Sequence, residues 1–243
     1  MQAVILAAGT ASRLRPLTDN CPKCLLKVGG KTLLERTVDA IHGAGIKEIT
    51  IVTGYLQEMI VSFLKTHYSQ DVFHYVHNAD YASTNNIFSL WLARPQVDGK
   101  DFLLMDSDIF CEAQLIKTIA EQESSALAVN RHELGEEEMK VVVDADNNIT
   151  EISKTCSVDD ALGESVGVEK ICADYSSALY EELEMMCVHE GLENKFYELA
   201  FERLIAKGHA FKVVDTTHFF SMELDTVEDF RQLGDKEIRQ VDN

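Results

Sequence analysis

The amino-terminal strand and the loop it feeds constrain this chain most. Gln2-Ala3-Val4-Ile5-Leu6 reads as a short buried strand, and runs this apolar suit a parallel strand covered on both faces. It passes directly into small residues, Ala7-Ala8-Gly9-Thr10-Ala11-Ser12, then into Arg13, Arg15 and Cys21-Pro22-Lys23. A loop of small side chains at a strand's carboxyl end lets backbone N–H groups approach a phosphate closely, and guanidinium groups add charge-assisted donors. Residues 1–31 hold Arg13, Arg15, Lys23, Lys27 and Lys31 against a single acid, Asp19, in a chain of formal net charge −19. A basic loop on so acidic a background focuses a small anion. The stretch therefore predicts a polyphosphate site.

The next segments set the fold class. Residues 32–41 carry apolar side chains at helical spacing and end at Gly43 and Gly45, residues 48–53 are a β-branched strand, residues 55–68 return to helical spacing after Gly54, and residues 72–76 form another strand. Strand and helix alternating in this rhythm give βαβ units and a mainly parallel sheet. The polar run Ala82-Ser83-Thr84-Asn85-Asn86 opens a helix through Leu92. Thr84 or an adjacent asparagine can cap it, and paired amides also suit a base edge or a ribose. The apolar residues 102–105 end in Asp106-Ser107-Asp108. Carboxylates at a strand's carboxyl end lie where open α/β sheets bind ligands, and at this spacing they can share a hard cation or cap the helix expected over 112–121.

The second half is mixed. It reads as a strand at 126–129, a charged loop at 132–138, a hairpin of 139–143 and 149–153 around Asp144-Ala145-Asp146-Asn147-Asn148, and an irregular excursion at 155–163. A strand at 165–172, helices at 176–188 and 195–207, a strand at 211–214 and one final helix capped within 225–229 complete it. There is no repeat or low-complexity linker, so one domain is expected over 1–243.

Other classes are excluded by what is missing. No apolar run approaches the about 20 residues of a membrane span, and the amino terminus shows no secretory pattern, which predicts a cytoplasmic protein. The six cysteines are scattered; Cys21 and Cys24 have metal-ligand spacing but no second pair, so reduced thiols are expected. No basic stripe exists to neutralise nucleic acid. Gly29-Gly30-Lys31-Thr32 looks like the tail of a P-loop, but Leu25 stands where that pattern needs glycine, and no GxGxxG is present.

Taken in order, Ala7-Ala8-Gly9-Thr10-Ala11-Ser12-Arg13-Leu14, Pro22-Lys23, Asp106-Ser107-Asp108 and Glu223-Leu224-Asp225 resemble the sugar-nucleotide nucleotidyltransferase superfamily. Residues 81–90, 163–168 and 222–229 resemble its small branch, the CTP:phosphocholine and 2-aminoethylphosphonate cytidylyltransferases. The resemblance implies a Rossmann-like α/β fold whose mixed, mainly parallel central sheet is flanked by helices, with a small β-rich acceptor-binding excursion. It implies a nucleotide-binding core at 1–130 and an acceptor-binding part at 131–243. The implied reaction joins CTP to a small phosphate or phosphonate amine and releases pyrophosphate, with Mg²⁺ as cofactor.

By the same resemblance, Leu6, Ala7, Ala8, Gly9, Thr10, Ala11, Ser12 and Arg13 would hold the triphosphate and part of the base. Arg13 and Lys23 would be catalytic, with Lys23 on the α-phosphate, while Asn85, Asn86, Ser89 and Asp106 would border the nucleotide. Asp108 and Asp225 would bind the metal, with Asp106 and Glu223 beside the acceptor; apart from the family pattern, Lys140 and Lys154 are extra cations best used on the acceptor's phosphate or phosphonate, and Tyr197 and Glu198 are assigned to the acceptor wall. This chain departs from the family where Ala11 replaces the usual second glycine, which requires a negative φ or little strain. It also lacks a tryptophan in the hairpin region, where Glu138-Met139-Lys140 stands, leaving Phe196-Tyr197-Glu198 to furnish an aromatic and acidic wall. A sugar-1-phosphate nucleotidyltransferase using another nucleotide and a catalytically silent nucleotide sensor are the alternatives.

Overall fold

A computed structural model describes residues 1–242. In chain order the elements are β1 (Gln2–Ala7), β2 (Lys27–Val28), β3 (Lys31–Thr32), α1 (Leu33–Gly43), β4 (Glu48–Thr53), α2 (Gln57–His67), β5 (Val72–His77), α3 (Asn86–Leu92), α4 (Arg94–Val97), β6 (Phe102–Asp106), β7 (Ile109–Cys111) and α5 (Ala113–Ala120). They continue as β8 (Ala126–Asn130), β9 (Lys140–Val143), β10 (Ile149–Ser153), β11 (Gly163–Ile171), α6 (Ala173–Glu184), α7 (Glu198–Ala206), β12 (Lys212–Asp215), β13 (Ser221–Glu223), α8 (Val227–Gln232) and α9 (Asp235–Asp242).

The main sheet runs β10-β9-β11-β6-β1-β4-β5, with β8 paired to β11 and β12 paired to β8. Strands β6, β1, β4 and β5 are mutually parallel, as is the β8–β12 pair, whereas β11 is antiparallel to β6, β8 and β9. The apolar runs of β1 and β6 are explained by the two layers that cover them. Val4, Leu6, Phe102 and Leu104 pack with Ile87, Leu90, Tyr180 and Phe201 on one face. Ala3, Ile5, Leu103 and Met105 pack with Leu34, Val38, Ile60 and Leu115 on the other. Helices on both faces leave no position in these strands for a polar alternate.

One bend positions the β9–β10 hairpin. The first residues of β11, Gly163 and Glu164, pair with β9, but Val168 to Ile171 pair with β6. The β9–β10 hairpin therefore stands beyond the carboxyl end of β6. Gly167 turns the strand there with φ +75°, and a Cβ at this residue would lie 3.0 Å from Asp106 Oδ2. Only glycine meets both demands without strain.

The carboxyl-terminal part is finer-grained than the sequence reading. The expected single final helix is broken after Gln232; α8 starts in a capping box between Thr226 and Asp229, and α9 starts anew where Glu237 Oε2 accepts the Gly234 N–H at 3.0 Å. Both helices pack on a small cluster built from Val28, Leu33, Phe110 and Leu224. Helix α6 ends in a π turn, Met185–His189, rather than continuing as α-helix to residue 188. The short strands β2, β3, β7 and β13 have no sequence signal of their own, since two or three residues cannot show a period. Among the described residues no helix is long and apolar enough to cross a membrane.

Candidate active site

A cavity of about 420 Å³ opens at the carboxyl ends of β1 and β6. Its floor is the loop after β1. Ala11 takes the left-handed conformation there, φ 47° and ψ 51°, so of the two conditions set by the sequence the negative φ is not met and small strain is the one that remains. Thr18 Oγ1 donates to the Ala11 carbonyl at 3.0 Å, which helps hold that turn. Where β4 ends, Gly54 brings its backbone against the loop: a Cβ would sit 2.6 Å from the Ala8 carbonyl oxygen and 2.7 Å from Tyr81 Cβ. The Tyr55 N–H donates to the same carbonyl at 3.0 Å.

Short-range pairing brings distant carboxylates together. Strand β13 is antiparallel to β7, with Glu223 opposite Ile109, and the Leu224 N–H donates to the Asp108 carbonyl at 3.2 Å. Asp108, Glu223 and Asp225 thus each offer a carboxylate oxygen, all lying within 4.8 Å of one another. Lys23 Nζ bonds Asp108 Oδ2 at 2.7 Å and Asp225 Oδ1 at 2.5 Å, and Arg13 pairs with the other oxygen of Asp225. Burial alone would lower the Lys23 pKa, but Asp108 and Asp225 outweigh it and hold the ammonium above its ordinary value. Burial likewise opposes the Asp225 charge, yet Lys23 and Arg13 keep that carboxyl below the usual range. Glu223 is pushed up to about 8 by dehydration and by its neighbours Asp108 and Asp225.

The donor set suits a hard divalent cation, which takes carboxylate oxygens. Asp108 Oδ1 adds a specific sign: it is buried with no hydrogen-bond partner. A cation would satisfy that oxygen and relieve the repulsion between three carboxylates. The residues present fit the metal that the sequence resemblance implies.

The start of α3 is tied by hydrogen bonds. Asn85 caps α3, its Oδ1 accepting the Asn86 N–H at 2.8 Å, and Asn86 Oδ1 accepts the Tyr197 N–H at 3.0 Å. Asn78 Nδ2 donates to Thr84 Oγ1 at 3.0 Å and Ser89 Oγ at 3.1 Å. Behind them Tyr197 Oη lies 3.1 Å from Asp106 Oδ2 and 3.2 Å from Glu169 Oε1. One phenolic proton cannot serve two carboxylates, so one carboxyl must donate. Burial first, then the neighbouring acids, raise both Asp106 and Glu169 well above the carboxylate range.

Leu6, Ala7, Ala8, Gly9, Thr10, Ala11, Ser12, Arg13, Lys23, Asn85, Asn86, Ser89, Asp106, Asp108, Lys154, Glu198, Glu223 and Asp225 all line the cavity. Two sequence-assigned residues do not. Tyr197 is wholly buried behind the wall, where it supports Asp106. Lys140 is 2% exposed, and its Nζ donates to the carbonyls of Lys154 (2.6 Å), Glu138 (3.2 Å) and Glu136 (3.3 Å). Its ammonium is spent on the chain's own backbone, so the acceptor-phosphate role is withdrawn. Asn78, Glu137, Glu164, Ser165 and Gly167 line the cavity without having been singled out as site residues. The hydrophobic pattern marks none of them, although Glu164, Ser165 and Gly167 fall within a segment that carries the resemblance.

Comparison with known proteins decides the family. Residues 2–153 match the nucleotidyl transferase family. The chain belongs to that family. Relatives of this chain include the CMP-5'-(3-aminopropyl)phosphonate synthase of Streptomyces rubellomurinus, 32% identical over 96% of this chain and 38% of that protein. The 2-aminoethylphosphonate cytidylyltransferase of Lancefieldella rimae is 36% identical over 47% of this chain and 43% of that protein. The match thus spans less than half the length of either curated relative. The solved CTP:phosphocholine cytidylyltransferase of Streptococcus pneumoniae superposes with a TM-score of 0.81 at 26% identity, covering 95% of this chain and 96% of that one. The mixed α/β fold expected from the sequence is the fold of these nucleotidyltransferases.

Proposed function

We propose that this nucleotidyltransferase joins CTP to a phosphate or phosphonate oxygen of a small amine-bearing acceptor, releases pyrophosphate and uses Mg²⁺. The observation that carries the reading is the convergence of Lys23 and Arg13 on Asp225, beside Asp108 and Glu223, at the mouth of the small-residue loop. The names of the relatives, which act on phosphonates and phosphocholine, support cytidine and an amine-bearing acceptor.

The acceptor oxygen is already ionised, so no strong base is required. Placement in line with the leaving group and cancellation of charge repulsion are what the site must provide. The loop N–H groups and Arg13 bind the triphosphate, and Lys23 moves from its carboxylates to the α-phosphate and the incoming oxygen. Asn85, Asn86 and Ser89 border the base and ribose. Asp108 and Asp225, with Glu223 beside them, hold Mg²⁺, which when bound withdraws phosphate charge. Residues 1–130 supply the nucleotide side, while 131–243 complete the acceptor wall and also bring Asp225 to the metal.

The test is pyrophosphate release with each nucleoside triphosphate, Mg²⁺ and a panel of acceptors. CTP with a phospho- or phosphono-amine is expected to be the productive pair. Release with a hexose-1-phosphate instead identifies a sugar-nucleotide enzyme. CTP binding by calorimetry with no release from any acceptor overturns the reading.

A further inference from the structure

From the cavity wall around Phe196 we infer that the acceptor is a zwitterion of amino-acid type, carrying a carboxylate beside its amine as well as the phosphate or phosphonate. The inference rests on the reading above and narrows its substrate class.

The cavity holds two separate sets of cations. Lys23 and Arg13 sit on Asp108 and Asp225, at the reacting end. Lys154 shares no partner with them: its Nζ lies 5.2 Å from the centre of the Phe196 ring and 3.7 Å from Glu137 Oε2. The Glu137 side chain is 95% exposed, so this pair contributes little and leaves Lys154 free to exchange partners. The acceptor's reacting oxygen must lie at Lys23. Lys154, which shares no partner with Lys23 or Arg13, is left to serve a second anion.

Glu198 stands on the same wall. It is 7% exposed, lines the cavity, and its Oε2 has no hydrogen-bond partner. An unpaired buried carboxylate oxygen is costly unless a donor meets it, and an ammonium is the strongest available. Burial pushes Glu198 up to about 7, and the nearby Lys154 charge works against that rise. Lys154 lies over the ring of Phe196, two residues before Glu198 in the chain, and both line the one cavity, so the amine and carboxylate receptors can act on one small molecule.

The same geometry disfavours a quaternary ammonium. Such a group seeks an aromatic face, and Lys154 already occupies the face of Phe196. The wall is also held in place. The buried Lys140 ammonium ties the Lys154 carbonyl to those of Glu136 and Glu138, which flank Glu137 in the chain. A carboxylate matched to Lys154 and an ammonium matched to Glu198 together complete both groups.

In the transfer, the acceptor oxygen forms a bond to the α-phosphorus of CTP. The bond from that phosphorus to the α,β-bridging oxygen breaks, and pyrophosphate leaves with the electron pair. No redox partner is involved.

The test compares acceptors that differ only in the carboxylate: O-phosphoserine against phosphoethanolamine, and 2-amino-3-phosphonopropionate against 2-aminoethylphosphonate, with phosphocholine as a fifth probe. With CTP and Mg²⁺, kcat/KM for pyrophosphate release is expected to favour the carboxylated member of a pair by about 10–100-fold, the range for a charge-assisted contact. Lys154→Met is expected to collapse that ratio toward one, through KM for the carboxylated acceptor, and Lys154→Arg to preserve most of it. Release that is equal or greater with amine-only acceptors, or a ratio untouched by Lys154→Met, overturns the zwitterion inference while leaving the cytidylyltransferase reading intact. No release from any probe overturns both.

Discussion

Replacing Lys140 with methionine asks whether one buried cation holds the acceptor wall. The ammonium is 2% exposed and donates to three backbone carbonyls, the shortest contact being 2.6 Å to Lys154. Methionine keeps most of the stem volume and removes all three donors. A hydrogen bond to a charged group is worth about 1.5–3 kcal/mol net. The Glu136 and Glu138 carbonyls lie in a loop with exposed residues and regain water when the ammonium goes. The Lys154 carbonyl loses the most. Counting one full bond and part of two others against the recovered desolvation of the ammonium gives a loss of about 3 kcal/mol. For a chain of this size that lowers Tm by about 6–12 °C. Thermal and urea unfolding measure it, and steady-state kinetics should show KM for the acceptor rising while KM for CTP holds, because the residues displaced face the acceptor side. A Tm within about 1 °C of the parent, with acceptor KM unchanged, would mean that these carbonyls do not depend on the ammonium, and the account of the wall would fail.

Asp108→Asn and Asp225→Asn are each expected to lower Mg²⁺-dependent pyrophosphate release by about 10³-fold or more, given the several kcal/mol a bound cation supplies. Chelation of divalent ions should abolish release and Mg²⁺ should restore it; full activity in both variants removes the metal assignment. Glu198→Gln tests the buried carboxyl through pH. With a folded pKa of about 7 against about 4.5 unfolded, the unfolded state releases this proton first, so Glu198 costs stability as pH rises from about 4.5 to 7 and the cost is constant above that. The glutamine variant should therefore gain on the parent across that window, by about 2–4 kcal/mol at pH 8, and a pH-independent difference between the two would show that Glu198 ionises normally. Ala11→Gly should be tolerated or slightly stabilising, because relief of about 1 kcal/mol of left-handed strain offsets the added chain entropy. Gly167→Ala should cost about 1–3 kcal/mol and displace Asp106, and equal melting temperatures for the two variants would contradict the backbone angles.

The sequence alone determined the layered α/β fold. The β1 and β6 runs are apolar at every interior position because helices cover both faces, and the intervening helices show their 3.6-residue period and caps. It also marked the loop from Ala7 to Arg13, Lys23 and the paired acids, since these are local strings with their own chemistry. Pairing across the fold lay beyond it. That Asp108 and Asp225 share Lys23 follows from β13 lying against β7, strands too short to carry a period. The conformation of Ala11 was decided by its neighbours rather than by its own preference. Lys140 and Lys154 are alike as letters in one hairpin, yet one is sealed under three carbonyls and the other faces the cavity. Burial is set by what the rest of the chain places around a side chain, and no local pattern records which ammonium the backbone will claim.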